Sequence, residues 1–174
     1  MKTPITYYGG KQSLLKHILP LVPTHTRYTE AFLGGAALFF AKEPTRSEVI
    51  NDLDGNLIQF YRVAQTNYPA LKEKIEATLH ARDIHAEAGH ILSMPHFYTP
   101  VDIAWAVWVR CKQSFASRLD GAFGYDFNGG MPKRVNNAKD YFTEALCARL
   151  QGVTIESRDA LKVIECYDAP DTFH

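Results

Sequence analysis

The 174-residue chain has the composition of a folded protein and carries no net charge. Hydrophobic residues make up 46% and aromatic residues 12%, which is enough for a packed core and excludes a largely disordered chain. Nineteen basic residues balance nineteen acidic residues, so the overall charge does not by itself indicate a nucleic-acid-binding protein. The length predicts one domain, or a core with a modest insertion.

The cysteines and the hydropathy pattern bear on the cellular compartment. Cys111, Cys147 and Cys166 are odd in number and widely spaced, and no secretory signal precedes them. We therefore expect free thiols in a reducing cytoplasm. No apolar run approaches the roughly 18–20 residues that a membrane span needs, so the sequence predicts a soluble, cytoplasmic protein without a membrane partner.

The first third of the chain predicts alternating helices and strands. The apolar spacing predicts a helix over 12–22, a short strand over 27–32 that runs into a glycine turn, and a buried helix over 36–42. A second strand is predicted over 48–51. A long amphipathic helix follows, with its apolar stripe at Leu57, Ile58, Tyr61 and Ala64.

The alternation with strands then stops over a long middle segment. Residues 69–94 and 99–113 are predicted to be helical, and 140–149 are predicted to return to helix. Between them, 114–137 contain four glycines and a proline, which predict a hairpin or an extended loop.

The α/β pattern resumes near the end of the chain. We predict a strand over 152–155, a short helix over 160–165 and the opening of another strand over 172–174. The chain is accordingly divided into a core of residues 1–66 and 151–174 and an inserted domain of residues 67–150.

Two glycine signals and one acid have the layout of a site for an adenosine-bearing cofactor. Tyr7-Tyr8-Gly9-Gly10-Lys11 precedes the first strand, and Glu30-Ala31-Phe32-Leu33-Gly34-Gly35-Ala36 follows it. Asp52 ends the next strand, at a spacing expected of an acid that accepts hydrogen bonds from ribose hydroxyls. The pattern is neither Gly-x-Gly-x-x-Gly nor a phosphate-binding Gly-Lys-Ser/Thr loop. Taken alone, the Gly34-Gly35 pair is also compatible with an ordinary turn.

These motifs together resemble the Dam-type adenine-N6-specific DNA methyltransferases, in their N-terminal portion. The aromatic-Gly-Gly-Lys segment, the glycine turn, Ile50-Asn51-Asp52 and Asn56-Leu57-Ile58 occur in the family's order. Ala31 replaces the family's usual proline, and Tyr7 stands where tryptophan is frequent. The resemblance implies a Rossmann-like, S-adenosylmethionine-dependent methyltransferase core with an inserted, mainly helical target-recognition domain.

The resemblance also implies roles for individual residues. Lys11 would pair with the methionine carboxylate of the cofactor, Glu30 would lie near its amino group, and Asp52 would bind the ribose hydroxyls. The full implied cofactor-binding set is Tyr7, Lys11, Glu30, Phe32, Gly34, Asp52 and Asp159. Other interpretations stay open, with Lys11 as a surface charge, Tyr7 as a core residue and Asp159, expected near the cofactor adenine, as a helix N-cap.

The catalytic element of the family is absent from the sequence. That element is Asp-Pro-Pro-Tyr or a close variant at the end of a central strand, and Asp168-Ala169-Pro170 does not match it. Residues 172–174 resemble the start of the strand that would carry it. We therefore expect no catalytic residue in this chain, place that motif beyond His174, and expect the chain alone to be an inactive fragment.

The nucleic-acid hypothesis rests on the middle segment. Between Arg110 and Lys139 there are six basic residues against two acidic ones, interleaved with aromatic residues and glycines. Cations can fix register on phosphates, and a hairpin can enter the major groove. The predicted DNA-binding residues are Lys112, Arg118, Tyr125, Lys133 and Arg134. The alternative is an ordinary solvated loop.

The histidines do not predict a metal site. His80, His85 and His90 recur every five residues, which places successive side chains on different sides of a helix. No Cys-x-x-Cys or His-Glu-x-x-His motif accompanies them. We interpret all three as surface residues.

The sequence thus predicts a site-specific DNA adenine-N6 methyltransferase that transfers a methyl group from S-adenosylmethionine to adenine in duplex DNA. The resemblance is compatible with DNA methylation in a restriction-modification system, with a cognate restriction endonuclease that shares the site. Two alternatives remain open, an inactive cofactor- and DNA-binding module and a small-molecule methyltransferase. The second alternative predicts that 114–137 fold over the cofactor pocket.

Overall fold

The computed structural model describes residues 1–174, in which four parallel strands form one sheet. The strand order is β3-β2-β1-β4. In the central pair, Glu30 at the end of one strand lies opposite Ile50 in the other. The strands are β1 (Arg27–Glu30), β2 (Ser47–Asn51), β3 (Thr154–Glu156) and β4 (Thr172–Phe173). A parallel sheet flanked by helices confirms the predicted α/β class.

Nine α-helices accompany the sheet. One long helix directly follows β2, and five more lie between that helix and β3 in the chain. They are α1 (Leu15–Ile18), α2 (Ala37–Ala41), α3 (Gly55–Thr66), α4 (Tyr68–Glu76), α5 (Arg82–Ser93), α6 (Pro100–Gln113), α7 (Gly130–Lys139), α8 (Glu144–Leu150) and α9 (Ala160–Tyr167). Short 3₁₀ turns occupy Lys11–Leu14, Leu19–Leu21, Pro95–Phe97 and Phe115–Ser117. None of the helices combines the length and the apolar character required to cross a bilayer.

One hydrophobic core joins the sheet to the helices that follow β2. Ile50 of β2, Tyr61 of α3, Trp108 of α6 and Leu146 of α8 are fully buried members of the same 34-residue cluster. The predicted apolar stripe of α3 is confirmed, because all four of its side chains are fully buried. The middle helices therefore share one core with the sheet, chiefly through their contacts with α3, and their assignment to a separate domain of residues 67–150 stays a prediction.

The hairpin or extended loop predicted over 114–137 is wrong in its second half. A single antiparallel bridge joins Ser114 to Phe123, but residues from Gly130 onward form α7. The Asp126 carboxylate caps this helix by accepting hydrogen bonds from the backbone N–H groups of Gly130 and Met131. The glycines thus mark a loop that leads into a helix, and a proline is tolerated in a first turn, where no N–H partner is needed.

Smaller differences concern element boundaries. The helix predicted over 140–149 begins only at Glu144, and the strand predicted over 152–155 is shifted to Thr154–Glu156. The positive φ of Gly152 places a turn where the strand was predicted to start. The helix predicted over 160–165 continues to Tyr167.

A buried ion cluster links α8 to the sheet. Glu48 of β2 is surrounded by the ammonium group of Lys42, 2.7 Å from its Oε1, and by the guanidinium of Arg149, whose Nη2 is 2.9 Å from the same oxygen. Arg149 also donates to the carbonyl of Phe39. These contacts join α2, β2 and α8.

Candidate functional site

A cavity of about 270 Å³ opens at the carboxyl ends of β1 and β2. In parallel α/β sheets ligands bind in the crevice at this end of the strands. The glycine-turn cavity, as we name it, is lined by Tyr7, Tyr8, Gly9, Gly10, Lys11, Glu30, Phe32, Leu33, Gly34, Gly35, Ala37 and Asp52. The structure thus brings together six of the seven residues predicted to bind the cofactor, and their binding role stays a prediction.

The glycine turn needs its glycines for two physical reasons. Gly34 has a φ of +50°, a left-handed conformation that residues with a side chain rarely adopt. A Cβ at Gly34 would lie 3.3 Å from Cδ1 of Tyr7, and one at Gly35 would lie 3.2 Å from its Cβ. The glycines therefore let the Tyr7 side chain pack directly on the turn.

A non-glycine residue at the end of the same turn is strained. Ala36 has a φ of +56° and donates its N–H to the carbonyl of Leu33, 2.9 Å away. An L-residue in this region costs roughly 1–2 kcal/mol. Such strain concentrates at ligand-binding turns, where the surrounding structure enforces it.

Asp52 fixes the turn and faces the cavity. Its Oδ2 accepts the N–H of Gly34 at 2.8 Å, and its Oδ1 accepts the N–H of Asp54 at 3.1 Å. The hydroxyl of Tyr61 donates to the carbonyl of Gly34 at 2.9 Å and holds the turn from below. Each carboxylate oxygen of Asp52 retains a lone pair, so Asp52 can accept further hydrogen bonds from a ligand.

Glu30, the last residue of β1, is a buried carboxyl group with one uncommitted oxygen. The hydroxyl of Tyr28 and the N–H of Phe39 both donate to Oε2, at 2.8 Å and 3.1 Å, whereas Oε1 accepts no hydrogen bond from the protein. Burial raises the pKa of Glu30 to about 7, although the hydrogen bond from Tyr28 and the charge of Lys11 act in the opposite direction. Oε1 is therefore free to accept a hydrogen bond from a cationic group of a ligand.

The two remaining polar side chains of the predicted set stand at the rim. Lys11 is exposed at the start of a 3₁₀ turn and lines the cavity together with the acids Glu30 and Asp52. Tyr7 is half-buried, and burial together with Asp54 raises the pKa of its hydroxyl to about 12. Tyr7 therefore stays neutral and offers its ring and hydroxyl to a ligand.

Asp159 does not line the glycine-turn cavity. It is exposed after β3, and its carboxylate accepts hydrogen bonds from the N–H groups of Leu161 and Lys162 at the start of α9. The alternative interpretation as a helix N-cap therefore describes its geometry, and the predicted contact with a cofactor adenine stays a prediction.

Sequence reasoning missed residues that support the cavity. The side chain of Asn51 is fully buried, donates to the carbonyl of Ala31 and accepts the N–H of Arg158. It thereby joins the turn after β1 to the segment after β3. A polar residue directly after the apolar pair Val49-Ile50 was the available signal.

The residues predicted to bind DNA fall into two groups. Lys112 and Arg134 line a second cavity of about 320 Å³, whereas Arg118, Tyr125 and Lys133 are exposed on the loop and on α7. This second cavity, the basic cleft, is lined by Lys2, Thr3, Thr6, Gln12, Cys111, Lys112, Ser117, Arg134, Asn137, Ala138 and Tyr141.

Two of the six cations in this segment hold the protein's own backbone. Arg110 is buried and donates to the carbonyls of Leu119 and Gly121, at 2.6 Å and 2.8 Å, and Lys139 donates to the carbonyl of Glu76. The positive charge available to a ligand is therefore smaller than the sequence count indicates.

The loop before α7 reaches the glycine-turn cavity. The Arg118 guanidinium pairs with Asp120, 2.9 Å away, and lies 5.6 Å from the centre of the Tyr8 ring. Tyr125 and Lys133 line neither the glycine-turn cavity nor the space beside Tyr8. Arg118 thus lies beside Tyr8, which lines the cavity, whereas no residue of 114–137 lines the cavity itself.

The histidine interpretation needs one correction. His85 is buried, and its Nε2 lies 2.9 Å from the hydroxyl of Ser114. Burial and the nearby Arg110 lower its pKa to about 4, so it is neutral near pH 7. His80 is half-buried and stacks on Phe123, whereas His90 is exposed as predicted. No group of three or more metal-binding side chains is arranged to hold a metal ion.

Comparison with known proteins places these features in a family context. Residues 7–91 match the sequence model of the D12 class N6 adenine-specific DNA methyltransferases. The type II methyltransferase M1.LlaDCHI of Lactococcus lactis subsp. cremoris is 42% identical over 76 residues, which are 43% of this chain and 26% of that protein. The modification methylase StsI of Streptococcus sanguinis is 32% identical over 82 residues, 44% of this chain and 12% of that protein.

The extent of these matches follows the site. The matched residues 7–91 contain every residue that lines the glycine-turn cavity, whereas Lys112, Arg118 and Arg134 lie outside them. The matched part of the chain spans about a quarter of one relative and about an eighth of the other.

Proposed function

We propose that this chain, whose residues 7–91 match the sequence model of the D12 class N6 adenine-specific DNA methyltransferases, binds S-adenosylmethionine in the glycine-turn cavity. We propose further that it presents this cofactor to an adenine of duplex DNA, as part of a site-specific adenine-N6 methyltransferase. When bound, S-adenosylmethionine supplies an electrophilic methyl group on its sulfonium.

The observation that carries this proposal is the pairing of opposite charges in one cavity. Lys11 and Glu30 line the same cavity, and the free Oε1 of Glu30 is an acceptor without a protein donor. The methionine portion of the cofactor has an amino cation and a carboxylate, which match Glu30 and Lys11 respectively. The free lone pairs of Asp52 suit the two ribose hydroxyls, so the residues fit the cofactor.

The DNA part of the proposal rests on the basic segment that adjoins this cavity. Arg118, Tyr125 and Lys133 would contact the duplex from the loop and α7, together with Lys112 and Arg134 of the basic cleft. A flipped adenine has an N6 lone pair that is delocalised into the ring, so methyl transfer depends on holding it in line with the methyl group. We assign this chain the binding and positioning roles.

The names of the relatives add a partner class. One is a type II methyltransferase and the other a modification methylase, so we propose a cognate restriction endonuclease that recognises the same DNA site.

Replacing Asp52 with asparagine tests the cofactor assignment. Both carboxylate oxygens of Asp52 accept hydrogen bonds from backbone N–H groups. The amide of asparagine has one acceptor oxygen, so it can replace only one of these two oxygens. Loss of a charged acceptor costs about 1.5–3 kcal/mol, so affinity for S-adenosylmethionine should fall about 10-fold or more. Isothermal titration calorimetry measures this, with Asp140→Asn on the exposed surface as the matched control. Equal affinities for both variants would argue against the assignment.

Replacing Arg118 or Lys133 with alanine tests the DNA contacts. A cation that neutralises one phosphate contributes about 0.9 to the slope of log affinity against log salt concentration. Each variant should therefore bind cognate and random duplexes more weakly and with a shallower slope, measured by fluorescence anisotropy. Lys162→Ala, an exposed cation on α9, is the control. Unchanged slopes for both test variants would identify the loop as an ordinary solvated loop.

A further inference from the structure

The basic cleft brings positively charged side chains together in a chain that carries no net charge. Three of its lining residues are cations, Lys2, Lys112 and Arg134, and no aspartate or glutamate lines it. The rest of its polar surface is formed by hydroxyl and amide groups. The glycine-turn cavity differs, because there Lys11 is balanced by Glu30 and Asp52.

The three cations have no carboxylate partner. The Lys112 ammonium donates to the hydroxyl of Thr6 at 3.1 Å, and that of Lys2 donates to the hydroxyl of Tyr141 at 3.4 Å. The guanidinium of Arg134 makes one hydrogen bond, to the sulfur of Met131, at 3.5 Å. None of the three lies within 4.0 Å of an acidic oxygen.

This arrangement is unfavourable without an anion. Burial, with a contribution from the nearby Arg134, lowers the pKa of Lys112 to about 8. Like charges held together in a partly desolvated space disfavour the charged form, and a bound anion reverses that effect. The N–H groups of lysine and arginine also form charge-assisted hydrogen bonds to phosphate oxygens, which are stronger than hydrogen bonds between neutral groups.

We propose that the basic cleft binds one phosphodiester group of the DNA backbone, held jointly by Lys112 and Arg134 with hydroxyl donors from Thr6, Ser117 and Tyr141. This inference rests on the proposed function and specifies one point at which DNA is held. Thr6 directly precedes Tyr7 of the glycine-turn cavity, so the phosphate is fixed next to the segment that would contact the cofactor. A backbone phosphate carries no sequence information, so this contact sets the position of the duplex and not the choice of bases.

The salt dependence of duplex binding distinguishes one shared phosphate from two separate contacts. Lys112→Gln and Arg134→Gln should each weaken binding of cognate and random duplexes alike. Because both cations serve the same phosphate, the double variant should lower the salt slope by about 0.9 in total, and not by twice that amount. Lys162→Gln on α9 is the charge-matched control. The melting temperatures of the variants should not fall, because each substitution removes repulsion between cations.

A second measurement follows Lys112 directly in the unmodified chain. The rate of acylation of Lys112 by acetic anhydride, read by mass spectrometry, should decrease when duplex DNA occupies the cleft. Inorganic phosphate should protect only at much higher concentrations. Protection by inorganic phosphate but not by duplex would assign the cleft to a free phosphate ion and overturn the inference.

The two proposals fail in different ways. If the parent chain binds duplex with unprotected Lys112 and an unchanged slope in the double variant, the inference is wrong and DNA is held elsewhere. If the parent chain binds no duplex, the DNA part of the proposed function and this inference are both overturned.

Discussion

Replacement of Glu48 with glutamine is expected to lower the free energy of unfolding by about 3–5 kcal/mol. The Glu48 side chain is only 4% exposed, between Lys42 and Arg149. Burial alone would raise the pKa of Glu48, but hydrogen bonds from Arg149 and Lys42 hold it below its ordinary value. The neutral amide leaves two buried cations without a counter-charge, and this uncompensated charge is the source of the loss.

Chemical denaturation of the parent and the variant measures this effect. Glu43→Gln changes the same functional group at an exposed position that is adjacent in sequence to Lys42, so it is a matched control and should stay within about 0.5 kcal/mol of the parent. A loss below about 1 kcal/mol for Glu48→Gln would mean that water solvates the cluster and that it behaves as a surface ion pair.

The sheet and the glycine-turn cavity could be predicted because their signals are local. Gly34, Asp52 and Glu30 lie within one strand-turn-helix-strand segment, and adjacent parallel strands bring their carboxyl ends together. The family prediction, made from these motifs, agrees with the match of residues 7–91 to the D12 class model. Local sequence was sufficient here because the parallel pairing of β1 with β2 brings these residues to one end of the sheet.

The middle of the chain shows where local signals are ambiguous. The glycines before α7 fitted a hairpin as well as a helix N-terminus, and the capping by Asp126 decided between them. The burial of His85 depends on its packing against Ser114, 29 residues away. Neither contact has a periodic signature, so no pattern in the sequence announces it.

The basic cleft was beyond sequence reasoning for a stronger reason. It needs Lys2 near Tyr141 and Thr6 near Lys112, pairs that are 139 and 106 residues apart. The sequence count treated Lys112 and Arg110 as equivalent cations. Only the packing of α6 reveals that Lys112 lines a cleft and that Arg110 donates to backbone carbonyl groups.

Glu30 should make the stability of the chain depend on pH near neutrality. Its pKa is about 7 in the folded protein, against an ordinary value of 4.5, chiefly because the group is buried. Between these two values the folded state retains a proton that the unfolded state releases. The free energy of unfolding should therefore fall as pH rises through this window, by about 3 kcal/mol in total, and should level off above it.

Glutamine at position 30 imitates the protonated acid, since its carbonyl can accept the hydrogen bonds from Tyr28 and Phe39. Other titrating groups contribute equally to both proteins, and the buried His85 titrates at the lower edge of the window, near pH 4. The difference in unfolding free energy between the parent and Glu30→Gln, measured by urea denaturation at several pH values, isolates the Glu30 contribution. The parent should lose stability relative to the variant as pH rises from about 4.5 to about 7. Parallel stability curves would show that Glu30 ionises freely, and the cavity would then lack the desolvated carboxyl that we assign to the cofactor amino group.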